Sequence, residues 1–287
     1  MKIGLGTANF GNSYGLSFKE NINKNNDLNN LLKAAKKFNI NILDTSYDYK
    51  VKKNLIDYKK YKNFDVISKL RFSEKEKKNK NLEKIFLKKI IDMKKKYQIK
   101  NFYAILFHRS EDINILKKKK LNEIIKYLKD RNICNKFGVS IYDPSEIIKI
   151  QKKWKPDIIQ LPINVLDNRI VDSGWIKKLH NSGVEIHARS IFLQSLLLME
   201  SDKIPKKFYQ YKSILRKFEN YCKIKNVSKL DMCINHMKKF KQISHVVVGV
   251  QSVDQLKKIN FSFKKKLFKC DFKIPNINKK LIDPRLW

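Results

Sequence analysis

Arginine is scarce in a chain otherwise crowded with positive charge. Seven of the 64 Lys and Arg residues are Arg, at positions 71, 109, 131, 169, 189, 216 and 285. Nucleic-acid readers rely on Arg for bidentate contacts to phosphate and guanine. The net charge of +37 is therefore read as lysine on solvated helix faces, and no specific nucleic-acid partner is expected. Lys, Asn, Ile, Phe and Tyr are enriched together, and all are encoded by A/T-rich codons, so base composition accounts for the lysine. Runs such as Lys117–Lys120 and Lys77–Lys80 carry no interleaved aromatics. The charge still favours the approach of anionic ligands, phosphorylated cofactors among them.

Cysteine pairs are missing too. Cys134, Cys222, Cys233 and Cys270 form no Cys-x-x-Cys, and no histidine cluster stands at zinc spacing, so no metal is expected. Reduced, structural thiols fit a cytoplasmic location. The longest apolar runs fall short of the roughly 18 residues a membrane helix needs, so no membrane span is expected. The opening Met1-Lys2-Ile3-Gly4-Leu5-Gly6-Thr7 is strand-like and lacks the apolar stretch of a signal peptide. No Gly-x-Gly-x-x-Gly follows a strand and opens a helix, and no Gly-Lys-Ser/Thr loop is present, which argues against an open dinucleotide-binding sheet and a phosphate loop. No low-complexity linker divides the 287 residues. One domain is expected over 1–287, with 261–287 an irregular tail packed on it.

What is present is alternation. Apolar runs of strand length at 2–8, 41–44, 64–69, 102–107, 136–140, 157–161, 184–189 and 244–249 alternate with amphipathic stretches. Helices are expected at 27–38, 51–58, 82–97, 113–130, 144–152, 173–180, within 206–240, and at 252–260. Asp143-Pro144-Ser145-Glu146 and Ser252-Val253-Asp254-Gln255 supply helix starts. Eight strand–helix units predict an α/β fold of the (β/α)8 TIM-barrel type.

Three successive predicted strands end in ionisable residues. Asp44 and Tyr49 flank the end of the second, Lys69 ends the third, and His108 follows the fourth. Each alone has an ordinary explanation: a helix cap, a common tyrosine, one lysine of many, a core histidine. Together, at the carboxyl rim of a parallel barrel, they form a proton-donating site. A phenol is a weak acid at neutral pH, and a neighbouring ammonium eases loss of its proton. Asp44 would orient Lys69, and His108 would hold a carbonyl oxygen. None of these groups supplies a hydride, so a nicotinamide cofactor is the natural complement.

In these segments the chain resembles the aldo-keto reductase family. Leu5–Gly11 resembles its opening strand, and Asp44-Thr45-Ser46-Tyr47-Asp48-Tyr49 its Asp-Thr-Ala-x-x-Tyr motif. Lys69 in Ile-Ser-Lys and His108 in Leu-Phe-His fall at the family's catalytic lysine and histidine. Phe137–Ser140, Ile159–Asn164 and Val247–Val250 continue the series in order. The resemblance implies a barrel that binds NADPH, or less often NADH, and reduces a small-molecule aldehyde or ketone. It implies Tyr49 as general acid, Lys69 and Asp44 as its tuning pair, and His108 as the orienting group. Ser140, Gln160 and Asn164 would line the carboxamide. The stretch 189–195, with Arg189 and Ser190, and the turn Gly249–Ser252, with Gln251, would border pyrophosphate and adenosine.

The chain departs from the family pattern at Lys50 (usually Gly), Ile141 (usually Asn), Arg189 (usually an aromatic) and Ile259 (usually Asn). Basic residues for a 2′-phosphate are missing after Gly249, which leaves NADPH and NADH both open, and NADPH is preferred on family frequency alone. The segment His187-Ala188-Arg189-Ser190-Ile191-Phe192-Leu193-Gln194 resembles a bacterial branch found with surface-polysaccharide genes, which suggests a sugar carbonyl as substrate. A monomer or weak homo-oligomer is expected. The alternative reading is a cofactor-binding regulator on the same barrel, without turnover.

Overall fold

The computed structural model describes residues 1–10, 15–16, 25–49, 58–274 and 276–287. Eight parallel strands close into a barrel in chain order: β1 (Lys2–Gly6), β2 (Ile42–Asp44), β3 (Asp65–Leu70), β4 (Phe102–Phe107), β5 (Cys134–Ser140), β6 (Ile158–Pro162), β7 (Glu185–Arg189) and β8 (His245–Gly249). β8 returns to β1, with Gly4 opposite Val247 and Gly6 opposite Gly249. Every expected strand is present, within two residues of its expected ends.

The helices follow the sequence pattern where apolar spacing is regular. Leu82–Tyr97 is helical as expected and buries Leu82, Phe86, Ile90, Met93 and Tyr97, spaced by three and four. The stretch expected as one helix over 113–130 is divided. A 3-10 turn covers Ser110–Ile115 and the helix runs Lys118–Asp130, because Leu116 and Lys117 are extended. The long region near 206–240 resolves into a 3-10 turn and two helices, Lys212–Ile224 and Lys229–Lys238. Asn226 adopts a left-handed φ of 50°, and Ser228 caps the second helix. The tail is more ordered than expected: the helix Val253–Lys264 passes residue 260, and Lys279–Ile282 forms a further helical turn. The helix expected at 51–58 lies outside the described residues except for Tyr58, which opens a 3-10 turn. Among the described residues, no helix is long and apolar enough to cross a membrane.

Alternation along each strand sorts side chains between two environments. Ile42, Ile67, Ala104, Leu106 and Ile158 pack together inside the barrel. The alternate residues meet the helices in the larger outer core. There Phe72, Phe86, Phe107, Phe137 and Trp154 pack edge-on or stacked, with ring centroids 5.3 to 6.3 Å apart. This aromatic layer backs β4 and β5.

Gly138 is the tight point of barrel closure. A Cβ there would stand 2.1 Å from the Ile158 carbonyl oxygen and 2.8 Å from Leu106 Cδ2. The obstacle is backbone and cannot rotate away, so β5 and β6 approach only because residue 138 has no side chain. Gly138→Ala is expected to destabilise the fold by about 1–3 kcal/mol through overpacking. A urea titration comparing the variant with the parent checks this, and an unchanged midpoint would show that β6 can move aside.

Candidate active site

β2, β3 and β4 deliver their ionisable residues to one rim. Past Asp44 the chain stays bonded to β3, with Thr45 N donating to Ile67 O (2.8 Å) and Tyr47 N to Lys69 O (3.0 Å). It then turns, with Tyr49 N donating to Ser46 O at 3.1 Å. Tyr97, from the helix behind, anchors this turn by donating its hydroxyl to Ser46 O at 2.9 Å. His108 is placed by its backbone N–H on Leu70 O at 2.7 Å. The Tyr49 and His108 rings meet edge-on, 6.3 Å between centroids. Asp44, Tyr49, Lys69 and His108 all line one cleft of about 1020 Å³, its open mouth included.

Lys69 and Asp44, 3% and 4% exposed, form an ion pair at the base of this cleft. Gln160 completes it, donating Nε2 to the second carboxylate oxygen of Asp44 at 2.8 Å. Burial lowers the Lys69 pKa, Asp44 opposes the shift, and the nearby Arg189 adds to it. His108 is pushed down to about 3 by burial and by Lys69, Arg189, Arg71 and Arg109 around it. The imidazole is thus neutral at neutral pH, with one ring proton. Ser46 Oγ lies 3.3 Å from its Nδ1, 3.4 Å from Lys69 O, and accepts from Asp48 N at 3.4 Å.

Ser140, Gln160, Arg189, Ser190, Gly249 and Gln251 line the same cleft. Asn164 and Ser252 do not. Asn164 is buried, accepting from Leu166 N (2.9 Å) and donating to Ser190 O (3.3 Å), so it shapes the loop after β7. Ser252 caps the helix Val253–Lys264 by accepting from Gln255 N at 3.1 Å. The Ile259 side chain is buried on that helix's inner face. Lys50 lies outside the described residues, as does Gly11.

Arg189 is held on several sides. It donates to Ile141 O (2.9 Å), Ser190 Oγ (3.1 Å) and Ser140 Oγ (3.3 Å). Its guanidinium also stacks 3.9 Å from the Tyr142 ring centre. Arg285, from the tail, contacts the same ring at 3.7 Å and is itself gripped by Asp283. Sequence reading did not single out Tyr142. Its one signal was its place directly after Ile141, where the chain already departs from the family pattern. Gln194, within the expected stretch 189–195, lines the cleft, and so does Gln255, which sequence reading did not single out. After β7 the backbone takes positive φ at Ser190, Leu193, Gln194 and Ser195, an unusual run for non-glycine residues beside a binding cleft.

A closed (β/α)8 barrel with a buried acid–base cluster at its carboxyl rim defines a barrel enzyme class. The sequence model described as the aldo/keto reductase family matches residues 2–277, and the chain belongs to that family. It is an oxidoreductase of the aldo-keto reductase type. Solved structures agree on the fold. An aldo-keto reductase from Bacillus halodurans in its holo form is 16% identical, with a TM-score of 0.69, covering 93% of this chain and 88% of its own. A glycerol dehydrogenase from Gluconobacter oxydans is 16% identical, with a TM-score of 0.67, covering 93% and 87%. No curated protein matches the sequence.

His108 couples stability to pH. Its folded pKa of about 3 lies below the unfolded value near 6.5, so below pH 6.5 the unfolded chain binds a proton that the folded chain refuses. Its contribution is present above pH 6.5 and is lost as pH falls toward 3. His108→Asn is expected to flatten the stability profile between pH 6 and 4 by up to about 1.4 kcal/mol per pH unit. Denaturant titrations across that range check this. Parallel profiles for variant and parent would contradict the buried, neutral imidazole.

Proposed function

We propose that this protein reduces an aldehyde or ketone to the alcohol, using NADPH with NADH as the second choice, and that Tyr49 is the proton donor. The observation that carries the reading is the Asp44–Lys69 ion pair, secured by Gln160 and buried at the base of the cleft that Tyr49 and His108 also line. Charged groups at that depth need partners, and here the partners are aligned toward one open volume.

The cleft suits a nicotinamide nucleotide. Ser140 Oγ offers a donor and Gln160 Oε1 an acceptor, the pair a carboxamide requires; Gln160 Nε2 is already engaged by Asp44. Arg189 and the start of the helix Val253–Lys264, near Gln251, offer positive charge and helix dipole toward phosphate. When bound, the cofactor supplies hydride to the carbonyl carbon. Tyr49 gives its phenolic proton to the carbonyl oxygen as negative charge develops there. The Lys69 ammonium favours the phenolate that results, and Asp44 holds that ammonium in place.

His108 steadies the carbonyl oxygen by donating from Nε2. A neutral imidazole can donate there only if Nδ1 carries no proton. Ser46 Oγ, 3.3 Å from Nδ1, would favour this tautomer by turning its hydroxyl from Lys69 O (3.4 Å) onto that nitrogen. The serine stands where the family motif carries alanine, so this support is the chain's own.

Tyr49→Phe is expected to lower kcat by roughly 10²–10⁴-fold while nucleotide affinity is kept. Cofactor fluorescence quenching measures binding, and turnover on a panel of carbonyls, sugar aldehydes first, measures rate. Full activity in this variant would sink the assignment. Tight nucleotide binding without turnover on any carbonyl would instead favour a regulator. Ser46→Ala is expected to cost about fivefold in kcat, the worth of one net hydrogen bond of roughly 1 kcal/mol, with KM unchanged. An equal rise in KM with kcat intact would show that Ser46 only shapes the pocket.

A further inference from the structure

A second polar cluster sits at the other end of the barrel. His187 and His245 are register partners on neighbouring strands, with ring centroids 4.6 Å apart. Glu185 precedes His187 by two residues and shares its face of β7. Glu185 Oε1 lies 2.6 Å from His187 Nε2 and 3.5 Å from His245 Nδ1. One ligand-capable atom from each of the three falls within 4.8 Å of the others.

Two observations separate this cluster from an ordinary buried ion pair. His245 Nδ1 is sealed from solvent yet makes no hydrogen bond, its distance to the carboxylate being too long for one. A buried nitrogen left in that state costs free energy and calls for an explanation. The carboxylate is also braced from behind. Glu185 Oε2 accepts from Tyr103 Oη at 2.7 Å and pairs with the Lys136 ammonium, which leaves Oε1 directed to the imidazoles. Metal-binding carboxylates are oriented by outer partners in the same way.

We propose that Glu185, His187 and His245 bind one divalent transition-metal ion, zinc being the best match, in a structural site at the amino-terminal end of the barrel. Two imidazoles and a carboxylate are a ligand set zinc and its neighbours accept, with ligand bonds of about 2.0–2.2 Å. A short opening of the His187–Glu185 contact admits the ion, which also engages the unpaired His245 Nδ1. A water molecule completes the coordination, the Tyr103 hydroxyl being engaged by Glu185 Oε2 and Lys136. Ligands carried by strands are held more rigidly than ligands on loops. Glu185 and His245 side chains remain 13% and 16% exposed, which leaves a path of entry. Lys136 weakens attraction for the cation.

Metal-stripped full-length protein titrated calorimetrically with zinc sulfate tests the proposal, alongside cobalt(II) titration followed by visible absorption. One ion per chain is expected, with cobalt ligand-field bands and no thiolate charge-transfer band, and zinc should raise the melting temperature. His245→Ala and Glu185→Gln should lose all three responses, while the exposed His180→Ala keeps them. Circular dichroism and NADPH binding report whether the variants fold. Glu185→Gln preserves side-chain shape and serves alone if His245→Ala does not fold. Absence of one-to-one binding by the parent, binding that survives the substitutions, or a thiolate band pointing to the cysteines would each overturn the site.

Discussion

The Asp44–Lys69 ion pair is the constraint around which the upper barrel is arranged. Two charges removed from water cost several kcal/mol each unless geometry and further hydrogen bonds compensate. β2 supplies the carboxylate, β3 the ammonium, and β6 the Gln160 amide that occupies the remaining carboxylate oxygen. Gln160 is brought there by the pairing of β5 with β6, and that pairing relies on the bare backbone at Gly138. A packing detail at one strand thus supports the charge pair on two others.

The same charges set the character of the cleft. Burial, and after it the positive charges of Lys69, Arg189, Arg71 and Arg109, keep His108 neutral. A neutral imidazole is a directional donor rather than a charge, and Ser46 Oγ lies 3.3 Å from its Nδ1. On the opposite wall Arg189 is clamped among Ser140, Ile141, Ser190 and Tyr142. The tail reinforces this wall: Arg285 packs on Tyr142, and Asp143 pairs with both Arg169 and Lys279. The C-terminal segment is thereby tied to the rim beside the proposed cofactor position.

The strands were legible because a parallel strand buried on both faces reads as a short, nearly continuous apolar run. Asp44, Lys69 and His108 were legible because an ionisable residue closing such a run is conspicuous. Gln160 was legible as a cleft residue, while its bond to Asp44 was not, since it joins strands far apart in sequence. Asn164 and Ser252 looked like cofactor contacts by position. In the structure their side chains bond nearby backbone groups, a local preference of Asn and Ser that one-dimensional reading does not rank. The Tyr142–Arg285 contact depends on the tail folding back. The Glu185–His187–His245 cluster escaped the search for spaced ligands because register, and not spacing, unites β7 with β8.

The most direct test of the account follows the hydride itself. The protein would be incubated with NADPH deuterated at the reactive carbon of the nicotinamide and with a panel of aldehydes and ketones, and the products examined by mass spectrometry and NMR. The account predicts deuterium on the carbinol carbon of at least one product alcohol. Nucleotide that binds tightly yet delivers deuterium to none of them would contradict it.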